Sequence, residues 1–248
     1  MTLPPAFLTR PLAHRALHGA GVAENSIGAV KAAIAAGYGI ELDIQPSADG
    51  VPMVFHDYDM KRLTGLKGPI ARRSAAELGE IALTGGGGTI PTLVQVLDVV
   101  AGQVPLLIEI KDQDGALGPA VGPLEQAVCA ALARYTGLVA LMSFNPHSVA
   151  ACAVHAPDIP RGLTTCPYPA EDWPTVPEPT RAALRPIPDF DRTDACFISH
   201  QRDDLGSPYV AALKARGVPV LCWTVRSPQA EAEARKVADN ITFEGYRA

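Results

Sequence analysis

No stretch of this 248-residue sequence approaches the ~18 uninterrupted apolar residues that span a bilayer. Met1 to Pro11 also lacks the positive start and long apolar run of a secretory leader. A cytoplasmic protein without stable membrane insertion is therefore expected. Basic charge is not in excess either, since 21 Lys and Arg against 26 Asp and Glu give a net charge of −5. That balance argues against a nucleic-acid binder, which usually covers phosphates with a basic face, so any phosphate handled here is small. The cysteines lack a pairing pattern. Cys129, Cys152, Cys166, Cys196 and Cys222 are odd in number and scattered without a CxxC pair, which points to buried reduced thiols. Cys152 and His155 have helical spacing, but two ligands do not make a zinc site.

The composition, 48% hydrophobic and 19% charged, is that of a globular protein, and one domain over residues 1–248 is the preferred division. Short apolar runs alternate with helical stretches, the signature of βα units around a parallel sheet. Strands are predicted at Pro11–His14, Gly39–Ile44, Pro105–Ile110, Leu138–Phe144, Ile159–Leu163, Cys196–Ser199, Val218–Thr224 and Asn240–Phe243. Eight strands with helical links favour a closed (β/α)8 TIM barrel. Asn25 or Ser26 is placed to cap the first linking helix, with Ile27, Val30 and Ile34 on one face and Gly37 closing it.

After the second strand, Asp49-Gly50 between β-like arms signals a hairpin, and counting outward from that turn sets Asp43 opposite His56. A small insertion is expected at about 57–90, followed by a helix from near Thr92. The run Gly85 to Gly88 reads as a flexible loop in preference to a phosphate cradle, because no Lys-bearing strand-loop-helix motif accompanies it. The Pro-rich stretch from Thr164 to Asp194 is either a lid or a long surface connection.

Three strand-end carboxylates stand out. Glu41 and Asp43 alternate along one strand and share a face, while Glu109 ends the next strand. Carboxylates gathered at a barrel rim repel unless a cation compensates them, and oxygen-only ligands suggest magnesium or calcium. The bland reading makes them separate rim residues with their own basic partners, Lys111 simply balancing Glu109. His14 ends the first strand and His56 ends the hairpin arm, suggesting an acid and a base that titrate near neutrality. Arg15 and Lys111 would hold a phosphodiester anion beside the ion. Trp223 either walls the pocket or packs in the core. His18 is read as an exposed loop residue, and His147, His155 and His200 as structural or surface residues.

These residues carry a resemblance over nearly the whole chain. Ala13-His14-Arg15, Glu24-Asn25-Ser26, Gly39-Ile40-Glu41-Leu42-Asp43 and Val54-Phe55-His56-Asp57 occur in order, then Ile90-Pro91-Thr92-Leu93, Ile108-Glu109-Ile110-Lys111, Ser143-Phe144-Asn145-Pro146 and Trp223-Thr224-Val225. In these motifs the sequence resembles the glycerophosphodiester phosphodiesterases, relatives of the phosphatidylinositol-specific phospholipases C. The resemblance implies a TIM barrel with a small insertion after the His-Asp pair and cleavage of a small glycerophosphodiester to sn-glycerol 3-phosphate and an alcohol. It implies His14 and His56 as the acid/base pair, Glu41, Asp43 and Glu109 as ligands of one divalent cation, and Arg15 and Lys111 as phosphate contacts. It also implies attack by the glycerol 2-hydroxyl to give a cyclic phosphate that water opens. Three departures stand beside these matches: Ala16 where Gly commonly follows His-Arg, Ala23 where Pro commonly precedes Glu-Asn, and Ile241-Thr242-Phe243-Glu244 where Thr-Asp is usual. The competing expectations are a phospholipase acting on membrane lipid and a barrel that binds phosphodiesters without turning them over.

Overall fold

The computed structural model describes residues 1–248, with all eight barrel strands and one hairpin arm. In chain order they are β1 (Leu12–Ala13), β2 (Gly39–Pro46), β3 (Pro52–Val54), β4 (Leu106–Ile110), β5 (Val139–Ser143), β6 (Arg161–Thr165), β7 (Phe197–Gln201), β8 (Val220–Val225) and β9 (Asn240–Phe243). The strands other than β3 pair in parallel, and β1 bonds both β9 and β2, which closes the (β/α)8 TIM barrel. No helix is long and apolar enough to cross a membrane.

Alternation along each strand divides the core in two. Ile40, Leu42 and Ile44 of β2 and Leu106, Ile108 and Ile110 of β4 belong to the outer core beneath the helices. Leu107 of β4, Ala140 and Met142 of β5, Phe197 of β7 and Leu221 of β8 form the inner cluster, joined by Leu3 and Phe7 from the N-terminal segment. Asn240 clasps that segment by donating its side-chain amide to the carbonyls of Phe7 at 2.7 Å and Arg10 at 2.6 Å. The interior is tight. A Cβ on Gly162 of β6 would lie 2.5 Å from the Phe197 ring. Gly162→Ala should therefore cost about 1–3 kcal/mol of stability by overpacking, read as a lower urea midpoint.

Ser26, of the two predicted caps, closes the helix Ile27–Ala36, its hydroxyl accepting from the Ala29 N–H, and Gly37 ends the helix at φ 76°. Thr92 caps the helix Leu93–Val100 with a reciprocal bond from Gln95. The fifth barrel strand, β6, begins two residues later than predicted. Ile159 and Pro160 look strand-like by apolarity, but pairing starts at Arg161, whose buried guanidinium donates to the carbonyl of Ile159 at 3.3 Å.

The hairpin register also differs by one residue. Ile44 pairs with Val54 and Pro46 with Pro52, and the Phe55 N–H donates to the Asp43 carbonyl, so Phe55 rather than His56 faces Asp43. The reason is the turn. Ser47 and Val51 close a three-residue loop centred on Asp49, which accepts from the Ser47 hydroxyl and the Ala75 N–H, with Gly50 left-handed at φ 78°. His56 nevertheless reaches the mouth, because the regular ladder ends at Val54.

Residues 57–90 carry short helices at Lys61–Thr64 and Ala75–Gly79 over a satellite core of Phe55, Met60, Leu63, Ile70, Leu78 and Ile90. The glycine run is a packing seam: the Gly86 and Gly87 carbonyls accept from Ala23 and Gly28, and a Cβ on Gly87 would meet the Ser26 hydroxyl at 2.5 Å.

Candidate active site

At the mouth of the barrel, Asp43 stands in register with Glu109 on the neighbouring strand, and Glu41 lies two residues below Asp43 on the same face. One oxygen from each of these three buried carboxylates lies within 4.8 Å of the others. Asn25, left-handed at φ 56°, fixes Asp43 by donating its amide to Oδ2 at 2.9 Å and accepting from the Asp43 N–H at 3.3 Å. The Arg15 backbone N–H donates to Glu41 Oε2 at 2.9 Å. Lys111 sits between Asp43 and Glu109, with its ammonium 2.8 and 2.6 Å from their oxygens.

The three carboxylates experience different fields. Burial, then the charges of Asp43 and Glu109, push the Glu41 carboxyl well above its ordinary range. Burial also opposes ionisation of Asp43, but Lys111, His56 and Arg15 outweigh it and hold that carboxyl far below its ordinary range. Burial opposes the Lys111 charge as well, yet Asp43 and Glu109 raise its pKa above the usual ammonium value. Glu41 alone of the three has no Lys or Arg within salt-bridge distance. An all-carboxylate donor set with one member lacking a cation fits a hard divalent ion such as magnesium or calcium.

The two imidazoles border the same cleft of about 160 Å³ as the carboxylates, Arg15, Lys111 and Trp223, so every sequence-predicted site residue meets at one mouth. His14 Nδ1 lies 2.5 Å from Glu244 Oε2, and His56 Nδ1 lies 2.7 Å from Asp57 Oδ1. In both rings Nδ1 is engaged by a carboxylate and Nε2 is left for the cleft. Burial lowers the His14 pKa more than the bond to Glu244 raises it. Burial pushes the Glu244 carboxyl up, but the bond to His14, the nearby His18 ring and the Arg226 charge bring it well below its ordinary range. The Arg15 guanidinium bonds Glu24 at 2.7 Å, and its Nε is 3.5 Å from Asp43. Trp223 combines both sequence readings: it lines the cleft, donates to the Ser199 carbonyl at 3.0 Å and meets Phe144 edge-on.

His18 is not the exposed loop residue that was expected. It is half-buried, with Nε2 3.7 Å from Glu244 Oε2, so two histidines flank that carboxylate. Glu244 and Arg226 were not singled out by residue type. Glu244 was visible only as a departure in the last strand, and Arg226, which lines the cleft and bonds Glu244 at 2.7 Å, follows the Trp223-Thr224-Val225 motif without being part of it. Ala16 is left-handed at φ 64°, a conformation that suits Gly better, and its N–H reaches the Glu41 carbonyl at 3.0 Å. The Thr164–Asp194 stretch forms an aromatic wall: Tyr168 is buried, and Trp173 packs on Phe144 at a ring separation of 4.8 Å.

Residues 14–241 match the model of the Glycerophosphoryl diester phosphodiesterase family. A glycerophosphodiester phosphodiesterase of Caldanaerobacter subterraneus subsp. tengcongensis is 32% identical over 165 residues, 62% of this chain and 66% of that protein. Among solved structures, an Oleispira antarctica phosphodiesterase in complex with the product sn-glycerol-3-phosphate aligns with a TM-score of 0.75 at 24% identity, covering 96% of this chain and 94% of that one. The glycerophosphodiester phosphodiesterase of Thermotoga maritima aligns with a TM-score of 0.71 at 22% identity, covering 94% and 92%. At such identities the structural likeness speaks for the barrel alone.

Proposed function

The chain belongs to the glycerophosphoryl diester phosphodiesterase family, and from that premise we propose that it hydrolyses small glycerophosphodiesters to sn-glycerol 3-phosphate and an alcohol. The reading takes residues 1–248 as one catalytic domain with an insertion at about 57–90. One observation carries it: three buried carboxylates and two carboxylate-held imidazoles border a single cleft.

Glu41, Asp43 and Glu109 would hold one magnesium or calcium ion, which when bound neutralises charge developing on phosphate oxygens and favours ionisation of an attacking hydroxyl. Arg15 and Lys111 orient the phosphodiester anion. His14, kept neutral by burial, accepts the proton of the glycerol 2-hydroxyl at Nε2 as that oxygen bonds to phosphorus. The bond from phosphorus to the alcohol oxygen breaks, and His56 delivers a proton from Nε2 to that oxygen. Water then opens the cyclic phosphate with the two roles exchanged, which returns both rings to their starting states. Asp57 and Glu244 fix the rings so that each Nε2 faces the cleft. The aligned Oleispira antarctica protein holds sn-glycerol-3-phosphate, which supports a substrate of this size.

Purified protein should release glycerol 3-phosphate from a water-soluble glycerophosphodiester in the presence of magnesium or calcium, and a chelator should abolish the release. Activity confined to lipid vesicles would favour a phospholipase instead. Binding of the soluble diester without turnover under any divalent ion would make the barrel a binding protein.

A further inference from the structure

The groups assigned to phosphate and to protonation of the departing alcohol stand on separate loops. Arg15 follows β1, and His56 follows the hairpin arm β3. Each is held by one carboxylate: Arg15 Nη1 donates to Glu24 Oε1 at 2.7 Å, and His56 Nδ1 lies 2.7 Å from Asp57 Oδ1. A single guanidinium joins these two carboxylates. Arg62, in the insertion helix Lys61–Thr64, donates from Nε and Nη2 to Asp57 at 2.7 and 2.9 Å, and from Nη1 and Nη2 to Glu24 at 2.9 and 2.6 Å. An unbroken chain, Arg15–Glu24–Arg62–Asp57–His56, therefore runs from one loop to the other.

The shape of the central group matters. All three Arg62 nitrogens are engaged, with one edge of the planar fork on each carboxylate, which fixes the two carboxylates relative to one another in distance and angle. A lysine ammonium has no such pair of edges. The backbone beneath the fork is anchored, since Met60 and Leu63 are buried in the satellite core and the Thr84 N–H donates to the Leu63 carbonyl at 2.7 Å. Burial opposes the charge on Asp57, but His56 and Arg62 outweigh it and hold that carboxyl well below its ordinary range. At Glu24, too, burial is outweighed, by Arg62 and Arg15. Both links of the chain thus stay ionised.

Stability is not what this chain chiefly supplies. The Arg62 side chain is 46% exposed, and ion pairs open to solvent add little to stability. The insertion also has an independent mooring, because the Gly86 and Gly87 carbonyls accept from the N–H groups of Ala23 and Gly28. What the chain restricts is movement of Arg15 relative to His56.

We propose that Arg62 is a positioning residue that fixes the phosphate-holding Arg15 and the proton-delivering His56 at one separation, which makes the insertion a working part of the active site. The roles of the two end groups rest on the phosphodiesterase reading, whereas the coupling between them stands on the bonds alone.

Arg62→Gln should lower kcat for glycerophosphocholine by about 10–10²-fold, the scale of a misplaced catalytic group, and raise KM. On the glycerophosphate ester of p-nitrophenol, whose alcohol departs with little protonation, the variant should keep most of its kcat while KM still rises. Asp57→Asn should reproduce the loss in kcat and Glu24→Gln the rise in KM, and either one added to Arg62→Gln should cost much less than it does alone. Arg62→Lys keeps the charge without the fork and should restore neither constant fully. Wild-type kcat and KM in folded Arg62→Gln, full restoration by lysine, or a loss that adds independently to that of Asp57→Asn overturns the proposal. Proton NMR separates this from failure of the catalytic reading. A ring N–H resonance of His56, identified by its loss in His56→Ala, should shift or broaden in Arg62→Gln and, through the chain, in Glu24→Gln. That change supports the coupling even if no diester turns over, and a resonance untouched by both substitutions overturns it.

Discussion

Replacing His56 with alanine should lower kcat for a soluble glycerophosphodiester by about 10²–10⁴-fold, the usual contribution of a positioned general acid. The protein should remain folded, because the His56 side chain is 31% exposed and its removal opens no core cavity. Its ring is fixed through Nδ1 by Asp57, which Arg62 holds in turn, so the proton-bearing edge is aimed before substrate arrives. The role assigned to His56 has a specific signature. A glycerophosphate ester of p-nitrophenol needs little protonation to depart, so the variant should lose far less activity on it than on a choline ester. His14→Ala should instead impair both substrates, since the attacking hydroxyl is common to them. Equal losses on the two substrates for His56→Ala would remove it from the leaving-group side, and full activity in the folded variant would end its catalytic role.

Glu41→Gln should abolish ion-dependent turnover while making the ion-free protein more stable, by about 0.5–2 kcal/mol. Glu41 is 2% exposed, lies beside two other carboxylates and has one backbone N–H as its hydrogen-bond donor. Ionised, it is disfavoured by burial and repulsion; protonated, it is a poor ligand. An amide removes the conflict and with it a ligand. For a chain of this size the gain corresponds to a melting point higher by about 2–4 °C per kcal/mol. In chelator the variant should melt above wild type. Added magnesium or calcium should raise the wild-type melting point by preferential binding to the native state and leave the variant much less affected. A wild-type melting point indifferent to both ions would contradict the proposed ion site, and a lower-melting variant in chelator would contradict the account of Glu41 as a strained carboxylate.

The parts of this molecule that sequence disclosed are those governed by periodicity. Glu41 and Asp43 could be assigned to one face because strand side chains alternate, and Ile40, Leu42 and Ile44, which alternate with them, mark that strand as buried on its other side. Asp43 and Glu109 proved to be register partners, which two strand-end positions already implied. Legibility declined where a side chain intervened in the backbone. Asp-Gly suggested a two-residue turn, but the Asp49 carboxylate organises a longer loop by binding Ser47 and Ala75, and the register moved by one. His14 and Glu244 meet at a separation of 230 residues, and only barrel closure brings them together. Asp172 and Trp173 lie in chain without regular spacing, so their position beside the cleft could not be read from any repeat.

The briefest barrel stave, Leu12–Ala13, leads straight into His14, so few ladder bonds secure the residue assigned the first proton transfer. Its footing comes from below, where Phe7 and Leu3 wedge into the barrel floor and the Asn240 amide ties down the chain just ahead of the stave. Opening chemistry and barrel closure consequently depend on one keystone: whatever loosens the leading segment at the floor also unseats the imidazole at the rim.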